Sequence, residues 1–219
     1  MTTLQLHTIR MMMQPIPFEP QHNTSTERRC GAASLVMIYR ALNRGVNQND
    51  IHRELGSNRT HKLASHAINN GLNAAVVRFH DANEALGKVE LLLPETFVII
   101  NHQLEDNIRF GHFSVFIRTE SEPFKSIILH DPQKGANQRI AIQKFVQLWN
   151  PTIPNPEVRG KIAVLINKQP CEQAVGTKQK CPNCNELLNI EPFKVIMPHV
   201  SSHYCPHCDK RLPAAGLTQ

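Results

Sequence analysis

Between residues 30 and 71 the apolar positions recur at helical spacing. In GAASLVMIYRALNRG, Ala32, Leu35, Tyr39 and Leu42 share one face, which predicts a helix opening at Cys30 and stopping at Gly45. DIHRELG predicts a shorter helix closing on Gly56, and THKLASHAINNG a third, capped by Thr60 and ended at Gly71. The period then changes. LNAAVVRF and ETFVII read as strands on either side of a helical ANEALGKVELL, HFSVFI and KSIILH follow around the turn-like TESEP, and RIAI and KIAVLI flank a short helix, QKFVQLW. Helices first and antiparallel strands afterwards predict an α+β fold. The apolar pattern lapses after residue 168. The expected organisation is therefore a lead over 1–14, a main domain over 15–168, a linker over 169–178 and a small module with its tail over 179–219.

At 219 residues, 41% hydrophobic and 19% charged, the chain can bury a core and is not of disordered composition. It has no apolar run near the ~20 residues that span a bilayer and no secretory signal of the standard kind over its first 19 residues, so cytoplasmic synthesis without membrane insertion is expected. The formal charge of +6 is scattered, with only Arg28 and Arg29 adjacent, which argues against a nucleic-acid surface.

The six cysteines are distributed unevenly: Cys30 alone, Cys171 at the expected junction, and Cys181, Cys184, Cys205 and Cys208 in the tail. Lone and paired cysteines in this arrangement suggest nucleophile and metal chemistry rather than a disulfide framework. A helix N-terminus favours a thiolate through its free N–H groups and dipole, and Cys30 sits at one, with Arg28 and Arg29 beside it and Gly31 allowing close approach of a substrate. His112 opens the strand HFSVFI and Asp131 closes the next one. An antiparallel pairing would bring base and orienting acceptor together.

The ordered set CGAASLVM, GHFSVFI, HDPQKG and KFVQLW resembles the papain-like peptidases that process double-glycine leaders, and their stand-alone relatives, over residues 15–168. The resemblance implies a papain-like fold and a thiol-dependent acyl hydrolase acting on a protein or peptide, with Cys30 as nucleophile, His112 as general acid/base and Asp131 as orienter. Deamidation or acyl transfer by the same triad is an alternative, as is a non-catalytic adaptor. In those peptidases a glutamine about six residues before the cysteine supplies an oxyanion-hole amide. Here that position is Thr24, and Gln21 is the replacement, with His22 and Asn23 competing.

CPNC at 181–184 and CPHC at 205–208 are twenty residues apart, the two-knuckle pattern of zinc ribbons, which residues 179–211 resemble. Structural zinc on Cys181, Cys184, Cys205 and Cys208 would supply the folding energy of so short a module. Asn185 and Asp209 follow the knuckles and tolerate left-handed backbone. A finger made of Cys181, Cys184, His199 and His203 is disfavoured, since Pro192 and Pro198 interrupt the helix it needs. From Cys171 on, the net charge of +1 falls to about −1 with four thiolates and one zinc, which favours a protein partner over nucleic acid.

Overall fold

The computed structural model describes residues 15–22, 27–105, 109–121, 125–170 and 178–213. Three helices come first: α1 (Cys30–Ala41), α2 (Gln48–Leu55) and α3 (Thr60–Asn69). Strand β1 (Leu72–Phe79), helix α4 (Ala82–Leu92) and strands β2 (Thr96–Gln103), β3 (Gly111–Glu120), β4 (Ser126–Asp131) and β5 (Gly135–Ala141) follow. Helix α5 (Ile142–Trp149) and β6 (Ile162–Pro170) lead to the tail, with β7 (Lys178–Lys180), β8 (Leu187–Asn189), a 3-10 helix (Glu191–His199), β9 (Val200–Tyr204) and β10 (Arg211–Pro213).

Two helix boundaries differ from the sequence expectation. Helix α1 stops at Ala41 instead of running to Gly45, because Asn43 takes a left-handed conformation (φ 56°) and Arg44 N–H returns to the Tyr39 carbonyl at 2.8 Å. Thr60 is the first helical residue of α3 rather than its cap. Arg59 holds the cap position, and no side chain caps this end.

Eight strands form one antiparallel sheet in the order β10-β9-β1-β6-β2-β3-β4-β5. Strand alternation divides its side chains between two cores. On one face Val76, Ile99, Val115 and Val164 pack against α1–α3; on the other Val77, Ile100, Phe116 and Leu165 pack against α4, α5 and the 3-10 helix. Trp149 is fully buried in the second core, and its indole N–H donates to the Ile162 carbonyl at 2.9 Å.

The cysteine-bearing segment shares this sheet and core. Strand β9 pairs with β1 from Val76↔Tyr204 to Phe79↔Val200, and Ile190, Phe193, Ile196, Met197 and Val200 belong to the second core. Only β7 and β8 form a separate two-stranded ribbon. Cys171 and most of the expected linker lie outside the described residues. No helix among the described residues is long and apolar enough to cross a membrane.

Candidate active site and cysteine cluster

Helix α1 begins at Cys30 with no acidic residue in its first turn and no capping hydrogen bond from the Arg29 side chain, so the thiol stands at the positive end of the helix dipole. Cys30 is 2% exposed, and its thiol lies near enough to the His112 ring for the charge of one to act on the other. Nε2 of His112 bonds Asp131 Oδ1 at 2.8 Å, which leaves Nδ1 for the thiol. Asp131 Oδ1 also accepts the backbone N–H groups of Gln133 (2.8 Å) and Lys134 (3.0 Å) in the β4–β5 turn. Cys30, His112 and Asp131 thus lie together at the end of the sheet, with His112 bonded to Asp131 and next to the thiol.

The charges in this set support one another. Burial pushes the Cys30 thiol up, but the charge and hydrogen bond of His112, the Phe113 backbone N–H and the Arg28 charge outweigh it, and the thiol lies below its ordinary value. Burial pulls His112 down, yet the Cys30 charge and the Asp131 hydrogen bond raise it to about 9. Asp131 falls to about 2, where the His112 bond and charge and the two turn N–H groups outweigh desolvation. The lowered thiol and the raised imidazole both favour the thiolate–imidazolium form over the neutral pair.

Several residues around this set carry no sequence signal of their own. His102 lies opposite His112 in the β2–β3 register, with the rings at 82° and 5.4 Å between centroids. Its Nδ1 donates to the Gln103 carbonyl (2.7 Å) and its Nε2 accepts from Ser114 Oγ (2.9 Å). Burial and the His112 charge hold it at about 4, so it is neutral beside a charged ring. Gly31 has a different role from the one expected. A Cβ there would lie 2.8 Å from Asn58 Oδ1 and 3.2 Å from Leu63 Cδ1, so it faces the protein's own packing. At Gly111 a Cβ would fall 2.6 Å from the Glu157 carbonyl oxygen, and only glycine fits that approach.

Gln21 is fixed beside the Asp131 turn, its N–H bonded to the Pro132 carbonyl at 2.9 Å. Its side-chain Nε2 reaches Gln133 Oε1 at 3.4 Å, while its Oε1 is shielded from solvent without a partner. The buried carboxamide of Gln48 holds this segment: it donates to the Pro20 carbonyl (2.9 Å) and Glu19 Oε1 (3.2 Å) and accepts from His22 N–H (2.7 Å). The His22 side chain is exposed, 3.9 Å from Glu19; Asn23 and Thr24 lie outside the described residues.

Comparison with solved structures identifies the fold. The peptidase domain of Streptococcus ComA, a bifunctional ABC transporter of a quorum-sensing pathway, superposes with a TM-score of 0.52 at 16% identity, covering 71% of this chain and all of that domain. A C39-like peptidase from Bacillus anthracis gives 0.53 at 16% identity, over 72% and 97% of the two chains. A double-glycine protease in complex with its leader peptide gives 0.49 at 21% identity, over 71% and 93%. The chain has the papain-like fold of the C39 peptidase domains. No protein-family model and no curated protein matches it.

In the tail of this C39-fold chain, the Sγ atoms of Cys181, Cys184, Cys205 and Cys208 all lie within 4.8 Å of one another. Cys181–Cys208 and Cys184–Cys205 are separated by 3.7 and 3.6 Å. A tetrahedron with metal–sulfur bonds of ~2.3 Å has edges of about 3.8 Å, so the set fits a four-thiolate metal site. The two knuckles have the same backbone: Asn185 and Asp209 are left-handed (φ 64° and 59°), and their N–H groups bond the Cys181 and Cys205 carbonyls, both at 2.9 Å. Burial pushes the Cys205 thiol well above its ordinary value, and the sulfurs of Cys184 and Cys181 push the same way, a cost that a divalent cation removes. His203 is buried in the sheet with neither ring nitrogen partnered, outside this cluster.

Proposed function

We propose that the protein is a cysteine hydrolase that cleaves peptide bonds, and the observation that carries this reading is the buried Cys30–His112–Asp131 set at the N-terminus of α1. The Cys30 thiolate adds to a substrate carbonyl carbon. The resulting oxyanion is met by the N–H groups of the helix end and by the Gln21 amide. The imidazolium of His112 passes its proton to the departing amine as the C–N bond breaks, leaving a thioester on Cys30. His112, now neutral and held by Asp131, takes a proton from water as its oxygen attacks, and collapse of the second tetrahedral species releases the acid and restores the thiolate.

Zinc on Cys181, Cys184, Cys205 and Cys208 completes the reading. Four thiolates leave no open coordination position, so the ion would stabilise the fold and take no part in the reaction.

The test is labelling of the purified full chain with a thiol-directed acylating probe, followed by mapping of the modified residue. Labelling at Cys30 that is lost in His112→Ala supports the hydrolase. A protein labelled equally in both forms is a binding module instead.

A further inference from the structure

Cys30 and His112 belong to different halves of the fold, α1 and β3, and reaction between them requires the halves to hold a fixed separation. One carboxylate spans that junction. Glu157 Oε2 accepts the Gly111 N–H at 2.8 Å, one residue before His112. Its two oxygens also take Arg28 Nη2 at 2.9 and 3.0 Å, two residues before Cys30. Arg28 closes the arrangement by donating to the Gly111 carbonyl at 3.3 Å and lying 4.1 Å over the Phe110 ring. The Arg28 and Glu157 side chains are each 41% exposed, so as an ion pair they are worth little. Their significance is geometric, because Glu157 binds a backbone group on one side of the junction and a side chain on the other.

Glu157 is itself held firmly. Its N–H bonds Asn155 Oδ1 at 2.8 Å, and the next residue, Val158, is buried. Arg159 then forms a two-pronged pair with Asp209, with Nη1 2.8 Å from Oδ1. Asp209 is the left-handed residue that closes the Cys205–Cys208 knuckle. A continuous run of bonds therefore leads from the cysteine cluster to both reacting residues.

We infer that Glu157 is the positioning residue of the Cys30–His112 pair, and that the second cysteine knuckle holds it in place through Asp209 and Arg159. This rests on the reading of Cys30 and His112 as the reacting groups. It gives the C-terminal segment a role in the reaction geometry.

The test follows iodoacetamide alkylation of Cys30 against pH in the full chain, resolved by peptide mapping, with thermal unfolding alongside. Glu157→Ala should slow alkylation at pH 7 by about 10-fold, below the ~100-fold attached to a 1 Å misplacement, and move the profile to higher pH. Glu157→Gln, which keeps an acceptor for Gly111, should recover part of the loss and decides the matter if the alanine variant does not fold. Arg159→Met should change the rate in the same direction by less, and combined with Glu157→Ala it should add nothing. A parental rate and profile in Glu157→Ala or in a folded Glu157→Gln overturns the positioning role, and full additivity of the two substitutions overturns the link to the knuckle. His112→Ala separates this from the underlying reading: if it leaves Cys30 reactivity unchanged, the reacting pair itself is wrong.

Discussion

Replacing Gly111 by alanine tests the close approach next to His112. The new Cβ would lie 2.6 Å from the Glu157 carbonyl oxygen and 2.9 Å from Glu157 Cβ, against ordinary carbon contacts of about 3.5 Å, so backbone must move by roughly 0.6–1 Å. Overpacking of this kind costs about 1–3 kcal/mol of stability. The effect on chemistry should be larger than that on folding, because the displaced residue is the neighbour of His112. As the imidazole withdraws, the Cys30 thiol returns toward its ordinary value of 9 or above, where about 1% is ionised at pH 7. Neutral-pH alkylation of Cys30 should then fall by roughly 10–100-fold while its rate at high pH is nearly kept. The assay is the rate of Cys30 carboxamidomethylation from pH 5 to 10, with a melting curve for each form. A parental profile in a protein with a parental melting temperature would show that the Gly111–Glu157 approach has no bearing on His112.

Turnover of any cleaved peptide should hold up to about pH 9 and fall above it, as His112 loses the proton it gives to the leaving amine; Asp131→Asn should move that limb downward, and an unmoved limb would remove Asp131 from the set. The raised His112 loses its share of stability as the pH rises from about 6.5 through about 9, but the lowered Cys30 gains over the same window because the unfolded thiol still holds its proton there; folded and unfolded pairs each bind one proton, so denaturant midpoints should change little across it and a steep decline would contradict the pairing. Gln21→Ala should leave Cys30 alkylation intact and slow turnover by ~100–1000-fold; equal turnover would send the oxyanion role to another donor. Purified protein should hold about one zinc per chain, and chelation should lower the main unfolding transition, because β9 and Phe193 belong to the shared sheet and core. Protein without zinc, or a tail that melts alone, would defeat that expectation.

Much of this architecture is legible in the sequence because it is local. The helical period of CGAASLVMIYRA and the runs LNAAVVRF, TFVII and HFSVFI appear as α1, β1, β2 and β3. The meeting of His112 and Asp131 follows from two adjacent strands, and the paired CxxC spacing leads directly to the sulfur cluster. Glu157 is not legible. It stands in a proline-rich loop without periodicity, and its importance arises from Arg28 and Gly111, both far away in the chain. Gln48 is hidden for the same reason, as an ordinary polar residue of a short helix whose carboxamide serves backbone 26 to 28 residues earlier. The pairing of β9 with β1 joins residues more than a hundred positions apart, and VSSHY alone does not reveal its partner.

Strand β1, with the apolar run AAVV at its centre, would form one margin of the sheet if the chain ended after β6. Its row of N–H and C=O groups would then be open to any passing strand, a common route to self-association. Here β9 occupies that row, and the new margin is β10, three residues long and ending in Pro213, which has no N–H to offer. The cysteine segment thus acts as a selvedge that replaces an aggregation-prone border with a short one that resists strand addition.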